Sequence, residues 1–524
     1  MDSIRKLLER RARDDGARPF CLHQDTVITF GELDHVVNRL ANGFAGLGVA
    51  PGDRVAVILP THTDHIYTFL ALAKLGVTQV PINIHLRELG LRFPLEHSEA
   101  RVVVADARCG PALGPILREG DAVELVVWHG AVPNAGRARA VRFEDVLSAG
   151  TPSPPPAAPD PAHLVSITYT SGTTGPPKGV MLTDAMYRAA GRTAGLLADL
   201  RPGDVLLLWE PLYHIGGSET IVASLHYGVP IALVERFSAS RFWAETRRYG
   251  ATHIHHLGGI MGLLMKQPER DDDARNPVRI SWGGGAPAQI WEAFERRFGL
   301  RIREAYGLTE GASFTTINRE GRVGSIGKPV DHFEVRIVGE DGAPLGPGRI
   351  GEIVQREREP GLLTPGYFKD PERTRAALRD GWLHTGDLGY RDEEGFFYLV
   401  GRKQDSVRRR GENVSAWEVE RVVNLHPSVE ESAVIGVPSE LFGGGDEDIK
   451  VFVKVMPGTR LDPLALVRWC ERHLARFQVP RYVEFVEAFP KTPSERIRRD
   501  ELSRSVAESW DLEKSEYRPR RDGY

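Results

Sequence analysis

The chain has 524 residues, of which 41% are hydrophobic and 26% are charged, and 67 Lys and Arg residues against 71 Asp and Glu residues give a formal net charge of −4. At about 100 to 200 residues per domain, this length allows two to four domains that each bury a core, which excludes fibrous, disordered and disulfide-stapled proteins. A chain so close to neutral has no overall field that would hold nucleic acid or an anionic membrane. An acidic ligand must therefore be met by a local site.

The cysteines and the apolar segments indicate the compartment. Cys21, Cys109 and Cys470 are far apart and form no CxxC pair, which suits a reducing compartment and argues against structural zinc. No segment approaches the roughly 18 apolar residues that span a bilayer. Residues 1–20 carry charges and lack the uncharged core of a secretory signal. We therefore expect a soluble cytoplasmic protein.

The chain begins with Ile4, Leu7 and Leu8 at helical spacing, which predicts a short docking helix. From residue 28 to residue 106, helical patterns then alternate with short apolar runs such as residues 101–106. Runs that are apolar on both faces and separated by helices predict parallel strands with crossover helices. The proline-rich residues 151–161 predict a surface connector.

In the second half of the chain, the predicted pattern of strands and helices changes twice. The strand and helix alternation resumes over residues 204–303, and after residue 324 short alternating segments with tight turns predict a small antiparallel or barrel-like subdomain. Past residue 401, a basic patch precedes a new unit of helices and strands, as expected at a domain hinge. The fold class predicted is α/β, with a large N-terminal region of parallel αβ layers that includes the β-barrel-like subdomain, and a small α+β C-terminal domain. We set the domains at residues 1–401 and 402–524.

The first loop that could carry chemistry follows the predicted strand Leu164–Thr170. Residues 169–179 read YTSGTTGPPKG, a run of small hydroxylated and glycine residues with one lysine. Backbone N–H groups and hydroxyls of such a loop can converge on phosphate oxygens while the lysine supplies the countercharge. The spacing is not that of a Walker A loop, and a mobile surface turn is the other interpretation.

A second loop carries a competing nucleotide signature. Gly283, Gly285 and Ala288 fit the G-x-G-x-x-A pattern between a strand and a helix, and Glu304 lies where an acid that binds ribose is expected. This pattern allows a nicotinamide or flavin dinucleotide. It is equally a strand-to-helix turn on which a nucleobase lies flat against exposed backbone.

Three further segments carry candidate ligands. Tyr306 could stack on a base, Thr309 could donate to a phosphate and Glu310 could bind Mg²⁺ through oxygen, although a solvated loop acid is common at such positions. Asp387, in a glycine-flanked segment, could accept both hydroxyls of a ribose or form an Asx-turn. The arginine-rich residues 401–413 could be a cationic ligand loop or a solvated face.

These loops, in this order and at these intervals, resemble the AMP-forming adenylate family of acyl-CoA synthetases, firefly-type luciferases and peptide-synthetase adenylation domains. The similarity covers residues 28–502. Within the family, residues 412–420 and 436–440 look most like the carnitine/crotonobetaine–CoA ligase branch. The resemblance implies an acyl-adenylate-forming fold whose C-terminal domain is mobile, with a hinge near Asp405.

The resemblance also implies a role for each matching residue. The β- and γ-phosphates would be covered by Thr170, Ser171, Gly172, Thr173, Thr174, Gly175 and Lys178. Adenine would be held by Gly283, Gly284, Gly285, Ala286, Pro287, Tyr306 and Gly307. Thr309 would contact the α-phosphate, Glu310 would bind Mg²⁺, Asp387 and Arg402 would bind the ribose, and His214 would line the boundary between acyl pocket and thiol channel. The charge run alone motivates a further expectation, that residues 408–411, with Arg410 and Gly411 among them, approach coenzyme A.

The chain departs from the family at its late catalytic lysine. Residues 490–497 read PKTPSERI, so Glu495 replaces a glycine and Arg496 takes the place of the lysine that catalyses adenylation. Arginine keeps the charge, but its planar fork does not substitute freely for a compact ammonium. Arg496 acting as a modified clamp is the interpretation we favour; Lys491 as a substitute and an altered first half-reaction are the others. Asp184 stands where many relatives carry histidine.

The function implied is that of an ATP-dependent, AMP-forming acid–CoA ligase that uses ATP, Mg²⁺ and coenzyme A on a small carboxylic acid. The resemblance allows a homodimer. The histidines of residues 253–259 hint at a polar or anionic acid, with a metal site and a plain strand of alternating faces as other interpretations. The rivals are transfer to a non-CoA acceptor such as an amine or a carrier protein, activation of nitrite for diazotisation, and a non-catalytic nucleotide-binding homologue.

Overall fold

The computed structural model describes residues 3–120, 122–133, 136–156, 163–170, 177–265, 267–288, 290–402, 407–409, 412–414, 416–424, 426–439, 446–490, 497 and 499–517. Within these ranges, no helix has both the length and the apolar character that a membrane crossing requires.

The helices occur mainly in the first two thirds of the chain. They are α1 (Ile4–Asp14), α2 (Phe30–Gly46), α3 (Thr63–Leu75), α4 (Glu88–Ser98), α5 (Gly110–Glu119), α6 (Phe143–Ala149), α7 (Asp184–Ala198), α8 (Ile215–Tyr227), α9 (Phe242–Tyr249), α10 (Gly258–Met265), α11 (Trp291–Phe298), α12 (Pro371–Ala377), α13 (Ala416–Asn424) and α14 (Pro463–His473).

The strands of the first half are β1 (Pro19–His23), β2 (Thr26–Thr29), β3 (Arg54–Ile58), β4 (Thr78–Pro81), β5 (Val102–Asp106), β6 (Leu125–His129), β7 (Arg139–Arg142), β8 (Leu164–Thr170), β9 (Lys178–Thr183), β10 (Leu206–Leu208), β11 (Ile231–Leu233) and β12 (His253–Leu257). The strands of the second half are β13 (Ile280–Gly284), β14 (Arg301–Leu308), β15 (Ser313–Asn318), β16 (Lys328–Pro329), β17 (Phe333–Val338), β18 (Gly351–Glu357), β19 (Leu378–Arg379), β20 (Trp382–Arg391), β21 (Phe397–Arg402), β22 (Val407–Arg409), β23 (Glu412–Val414), β24 (Val429–Pro438), β25 (Glu447–Val455), β26 (Tyr482–Phe485) and β27 (Trp510–Asp511).

Two large, mostly parallel sheets form the N-terminal region. The seven-stranded sheet has the order β7-β6-β5-β3-β4-β8-β9, in which only β9 is antiparallel to its neighbour. The nine-stranded sheet has the order β16-β15-β14-β13-β12-β10-β11-β1-β2, with antiparallel strands at its two edges. One hydrophobic core joins both sheets through α2, α3, α7 and α8, while further cores cover their outer faces under α4 and α5 and under α9 and α11. The strands are thus buried on both faces, which explains their unbroken apolar runs.

The predicted docking helix is confirmed as α1. Ile4, Leu7 and Leu8 are buried in the main core, and the N–H of Ile4 donates to Asp184 Oδ2 at 2.9 Å. Asp184 also pairs with Arg188 one turn along α7, at 2.6 Å. The residue that departs from the family pattern therefore holds the first helix in place.

The predicted antiparallel subdomain is a five-stranded sheet in the order β17-β18-β20-β19, with β21 paired to β20. The last part of the chain has its own core, built from α13 and α14 against β24, β25 and β26. The predicted hinge residue Asp405 lies outside the described residues, so the boundary near residue 401 stays a prediction.

Candidate active site

The site begins at the carboxyl end of β8. Thr170 is the last residue of β8 and pairs in register with Lys178, the first residue of β9. The predicted phosphate loop therefore connects the paired ends of β8 and β9, so both of its ends lie at the same edge of the sheet. The loop residues Ser171, Gly172, Thr173, Thr174 and Gly175 lie outside the described residues, so their predicted contacts stay predictions.

Lys178 and Glu310 meet through a tyrosine. Lys178 Nζ donates to the Tyr367 hydroxyl at 3.3 Å and lies 4.6 Å from the centre of the Tyr367 ring. That hydroxyl in turn donates to Glu310 Oε1 at 3.0 Å, which leaves Lys178 Nζ 4.0 Å from the same oxygen. Burial and the neighbouring Glu310 carboxylate raise the pKa of Tyr367, so the phenol keeps its proton. Together these groups place a cation and an anion beside the end of the loop.

Sequence reasoning missed Tyr367. Its only local signal is the turn sequence TPGY at residues 364–367, in which Gly366 has φ 139°. The bond to Glu310 spans 57 residues, so no local pattern could connect the two side chains.

The glycine turn after β13 is held by Glu304. Its carboxylate accepts the N–H groups of Gly285, at 2.5 Å, and Ala286, at 2.9 Å. Gly283 has φ 149°, and a Cβ there would lie 1.9 Å from the carbonyl oxygen of His256, so only glycine fits. The carboxylate of Glu304 therefore holds the backbone of this turn. The competing interpretation, in which Glu304 binds the ribose of a dinucleotide, is wrong because the backbone N–H groups occupy both carboxylate oxygens. Gly284 and Pro287 lie in the same turn, as predicted.

Tyr306 and Asp387 come together as the resemblance implied. The Tyr306 hydroxyl, at the end of β14, donates to Asp387 Oδ2 at 2.7 Å, and both side chains are buried. Asp387 lies inside β20, and its N–H donates to Thr385 Oγ1 at 3.0 Å, so it is a strand residue. Asp387 pairs in register with Arg402, whose side chain lies outside the description.

The turn that follows β14 brings Thr309 and Glu310 to the same place. It is a single 3₁₀ turn, Thr309–Gly311, and Glu310 is 9% exposed. A Cβ at Gly307 would lie 1.4 Å from the carbonyl oxygen of Ser313, so the bend needs glycine. Mg²⁺ binds carboxylate oxygens such as those of Glu310, and water and phosphate oxygens complete its coordination shell. The residues present therefore fit Mg²⁺.

His214 is contacted from the C-terminal part of the chain. His214 precedes the first residue of α8, and its Nε2 lies 2.9 Å from Glu412 Oε2 in the β22–β23 hairpin. Partial burial lowers the pKa of His214, but the Glu412 carboxylate raises it more, so the net shift is upward. The pair fixes this hairpin over the start of α8.

The arginine run does not behave as one solvated patch. Arg409 is 5% exposed, donates to the carbonyl oxygen of Val479 and lies 3.5 Å from Asp448 Oδ1. The expectation that the whole run approaches coenzyme A is therefore wrong for Arg409. Arg410, Gly411 and Arg496 lie outside the described residues, so their predicted roles stay predictions.

A group of buried polar side chains lies between α8 and the turn after β14. Glu219 is fully buried on α8 and forms no ion pair among the described residues; the Ser313 hydroxyl is the one polar group beside it that acts as a hydrogen-bond donor, although at a geometry too poor for a regular bond. Burial raises the pKa of Glu219 well above its usual range; Ser313 partly offsets that rise, and the nearby Glu210 adds to it. Glu210 Oε2 lies 2.7 Å from His255 Nδ1, and a Cβ at Gly216 would lie 2.3 Å from the same oxygen.

The histidines lie on strand β12, which confirms the interpretation as a plain strand, and His253, His255 and His256 are all buried because both faces of this strand are covered. His253 Nε2 donates to the carbonyl oxygen of Ala198 at 2.9 Å. His256 Nδ1 lies 2.9 Å from Ser281 Oγ, and its Nε2 lies 3.3 Å from Glu304 Oε2. His255 packs 4.4 Å from the Trp282 ring centre. Among the described residues, these histidines join no cluster of three metal-ligating groups.

The comparisons with known proteins agree with the site. The profile of the AMP-binding enzyme family matches residues 8–368, and that of the AMP-binding enzyme C-terminal domain matches residues 418–496. A sulfoacetate–CoA ligase of Cupriavidus necator is 34% identical over 510 residues, which cover 96% of this chain and 97% of the relative. A crotonobetaine/carnitine–CoA ligase of Salmonella arizonae is 35% identical over 493 residues, 92% of this chain and 94% of the relative.

A solved enzyme also distinguishes two arrangements. A double mutant of the o-succinylbenzoate CoA synthetase of Bacillus subtilis, bound to a product analogue with CoA, has a TM-score of 0.82 to this chain at 26% identity, covering 95% of this chain and 97% of its own. The same enzyme with its acyl-adenylate intermediate has a TM-score of only 0.67, covering 94% and 97%. The arrangement described here is therefore closer to that of the CoA product-analogue complex. The family profiles match most of the chain, and the two relatives are similar to it over nearly their whole length. The chain therefore belongs to the AMP-binding enzyme family, in the superfamily of AMP-forming acyl-CoA synthetases.

Proposed function

We propose that the chain is an ATP-dependent, AMP-forming acid–CoA ligase whose acid carries a cationic or hydrogen-bond-donating group. The enzyme class is supported by the family and by two relatives that are acid–CoA ligases and that the chain matches over nearly their whole length. The class of acid is inferred from one observation, the fully buried carboxyl group of Glu219, which has the Ser313 hydroxyl beside it and no cation among the described residues.

The first half-reaction needs charge neutralisation and alignment. The acid's carboxylate attacks the α-phosphorus of ATP, the bond to the bridging oxygen breaks, and pyrophosphate leaves. Lys178 would turn from Glu310 toward the phosphates, and Tyr367 would keep the Glu310 carboxylate in place as Lys178 departs. Asp387 would hold the ribose. When bound at Glu310, Mg²⁺ supplies further positive charge against the phosphates.

The second half-reaction uses the other side of the site. The CoA sulfur attacks the acyl carbon, AMP leaves, and the thiol proton passes to solvent or a nearby base. The bond between His214 and Glu412 seats the β22–β23 hairpin over α8, and the higher likeness to the CoA product-analogue complex supports this arrangement as the one for thioester formation. A hinged domain can present different groups in the two steps.

We place the acid beside Glu219, and that placement would distinguish the two relatives' substrates. Glu219 and Glu210 place two carboxyl groups between α8 and the turn that carries Glu310. A buried carboxylate without a cation is costly, so Glu219 stays protonated until a cation or a hydrogen-bond donor arrives. A trimethylammonium acid would supply that cation, whereas the sulfonate of sulfoacetate would meet like charge. The acid is therefore closer in chemistry to the betaine taken by the second relative.

Matched acids test this class. Crotonobetaine and its tert-butyl isostere differ in charge and hardly in shape, so the ratio of their kcat/KM values measures the preference for a cation. We expect at least about a tenfold preference for the betaine, the factor that about 1.4 kcal/mol produces, and no detectable turnover of sulfoacetate. In Glu219→Gln the preference should fall toward one. An isostere used as well as the betaine would contradict the proposed acid class.

The fate of the adenylate separates the ligase from its rivals. AMP release that depends on CoA supports the ligase, and AMP release without CoA indicates another acceptor. Adding nitrite in place of the acid tests diazotisation directly. Failure to release AMP with any acid, nitrite or acceptor would favour the non-catalytic homologue.

A further inference from the structure

A second group of candidate ligands lies at the carboxyl edge of the seven-stranded sheet, apart from the nucleotide site. His129 is the last residue of β6, while His62 and Asp64 follow β3 at the start of α3. In the sheet order, β6 and β3 are separated from β8, where the phosphate loop begins, by two or more strand spacings. The His–Asp cluster, as we call His62, Asp64 and His129, is therefore distinct from the site at Lys178 and Glu310.

The ligand atoms of the His–Asp cluster converge on one point. Asp64 Oδ2 lies 2.9 Å from His129 Nε2 and 3.3 Å from His62 Nδ1, and all three atoms lie within 4.8 Å of one another. For a tetrahedral ion with bonds of about 2.0 Å, neighbouring ligand atoms are about 3.3 Å apart. The edge between His62 and Asp64 already has this length, and the edge between His129 and Asp64 is about 0.4 Å shorter. Side-chain rotation of His62 would close the third edge.

A second carboxylate fixes the ring of His129. Asp106, at the end of β5, accepts a bond from His129 Nδ1 at 3.2 Å and is itself held by Arg108 Nε at 2.8 Å. Asp106 is 4% exposed, so this bond is sheltered from water. A hydrogen bond from the far ring nitrogen to a carboxylate is the arrangement that orients histidine ligands in metal sites. Here it leaves His129 Nε2 facing Asp64 Oδ2 at 2.9 Å, so a metal would replace that direct contact and the proton it carries.

The position also leaves access for an ion. The side chains of His62, Asp64 and His129 are 37%, 21% and 26% exposed, and His23 from the other sheet lies edge-on to His62 with ring centres 5.1 Å apart. We propose that His62 Nδ1, Asp64 Oδ2 and His129 Nε2 bind one divalent transition-metal ion, Zn²⁺ in the first instance, with water in the fourth position. Two imidazoles and one carboxylate suit Zn²⁺ and Co²⁺ and select against Mg²⁺ and Ca²⁺, which prefer oxygen ligands alone.

Bound metal would tie the first turn of α3 to the ends of β3 and β6. His62 now caps α3 by accepting the N–H of Asp64 through Nδ1 at 3.3 Å, a long bond that a metal would replace. The ion would bind only the folded chain and would stabilise it by mass action. The expected role is structural and independent of the adenylation chemistry.

The test uses the full, untagged chain, freed of metal by a chelator and titrated with Zn²⁺ and then Co²⁺ in excess Mg²⁺. We expect one equivalent of Zn²⁺ per chain by calorimetry, a visible absorption band for Co²⁺ in a low-coordinate N and O site, and a higher Tm with Zn²⁺. His62→Asn should abolish these signals and keep the fold, because asparagine is a good N-cap. Asp106→Asn, which changes only the positioning residue, should weaken binding about 10- to 100-fold.

A matched control guards against binding at other histidines. His426 lies in the C-terminal part of the chain, where its Nδ1 accepts the N–H of Ser428. It is not a ligand of the His–Asp cluster, so His426→Asn should bind Zn²⁺ with the same affinity and stoichiometry as the wild type. Equal Zn²⁺ affinity and stoichiometry in wild type, His62→Asn and His129→Gln would overturn the proposal. So would the lack of any saturable binding by the wild type.

Discussion

The charge state of Glu219 makes a prediction about stability that needs no substrate. Glu219 is fully buried, and burial raises its pKa well above the usual range. The unfolded carboxyl group loses its proton near pH 4.3, whereas the folded one keeps it to a higher pH. The folded state therefore binds more protons than the unfolded state from about pH 5 upward, and stability falls as pH rises through this window.

Replacing Glu219 with glutamine removes this titration. The variant should gain stability over the wild type by up to about 1.4 kcal/mol per pH unit until the folded carboxyl group ionises. With an unfolding entropy of about 2.1 cal/mol/K per residue over about 400 residues, that is roughly 1.6 °C in Tm per pH unit. Between pH 5.5 and pH 7.5 the difference should thus widen, by at most about 3 °C.

Thermal unfolding of the two proteins without ligands, followed across this range, is the assay. Glu292, whose side chain is 73% exposed, offers the matched control, since Glu292→Gln should shift Tm by the same small amount at every pH. Parallel curves for wild type and Glu219→Gln would refute the reasoning, because they would mean that Glu219 is ionised in the folded chain and satisfied by an internal partner. Binding of a cationic acid should also release about one proton, measurable by calorimetry in buffers of different ionisation enthalpy.

Three further substitutions test the rest of the site. Glu412→Gln removes the carboxylate that raises the pKa of His214. Thioester formation should therefore slow about tenfold, while ATP–pyrophosphate exchange changes less than about twofold. Equal losses in both assays would contradict a role for Glu412 in the second half-reaction. Glu310→Gln should raise the Mg²⁺ concentration for half-maximal rate about tenfold or more, since a neutral amide oxygen binds Mg²⁺ less well, and an unchanged Mg²⁺ dependence would exclude Glu310 as the ligand. Gly307→Ala places a Cβ 1.4 Å from the Ser313 carbonyl oxygen and should cost about 2 to 4 kcal/mol of stability, seen as a lower Tm; a wild-type Tm would mean that the turn can open.

The layered fold and the position of the site follow from local signals. Residues 102–105 are apolar throughout because β5 is buried on both faces, and such runs predict a parallel sheet without further information. Thr170, Lys178 and Glu310 stand in short motifs whose residue types fit phosphate and Mg²⁺, so their chemistry could be predicted before their contacts.

What could not be predicted depends on distant partners. Glu304 has the spacing of an acid that binds ribose, yet it anchors the backbone of the glycine turn, and only the register of β13 and β14 decides between these roles. Arg409 stands in a run that composition marks as solvated, but it is buried beside Asp448, 39 residues further along. Tyr367 links Lys178 to Glu310 although no local pattern marks it as functional.

The most direct measurement is a crystal structure of the chain with a non-hydrolysable ATP analogue and Mg²⁺. Two contacts at about 3 Å or less are expected, Lys178 Nζ to a phosphate oxygen and Asp387 to the ribose hydroxyls. The Glu310 carboxylate is expected to bind Mg²⁺ directly, at about 2.1 Å, or through one water of its shell. A nucleotide bound elsewhere, with Lys178, Tyr367 and Glu310 still joined as they are here, would contradict the assignment of this site.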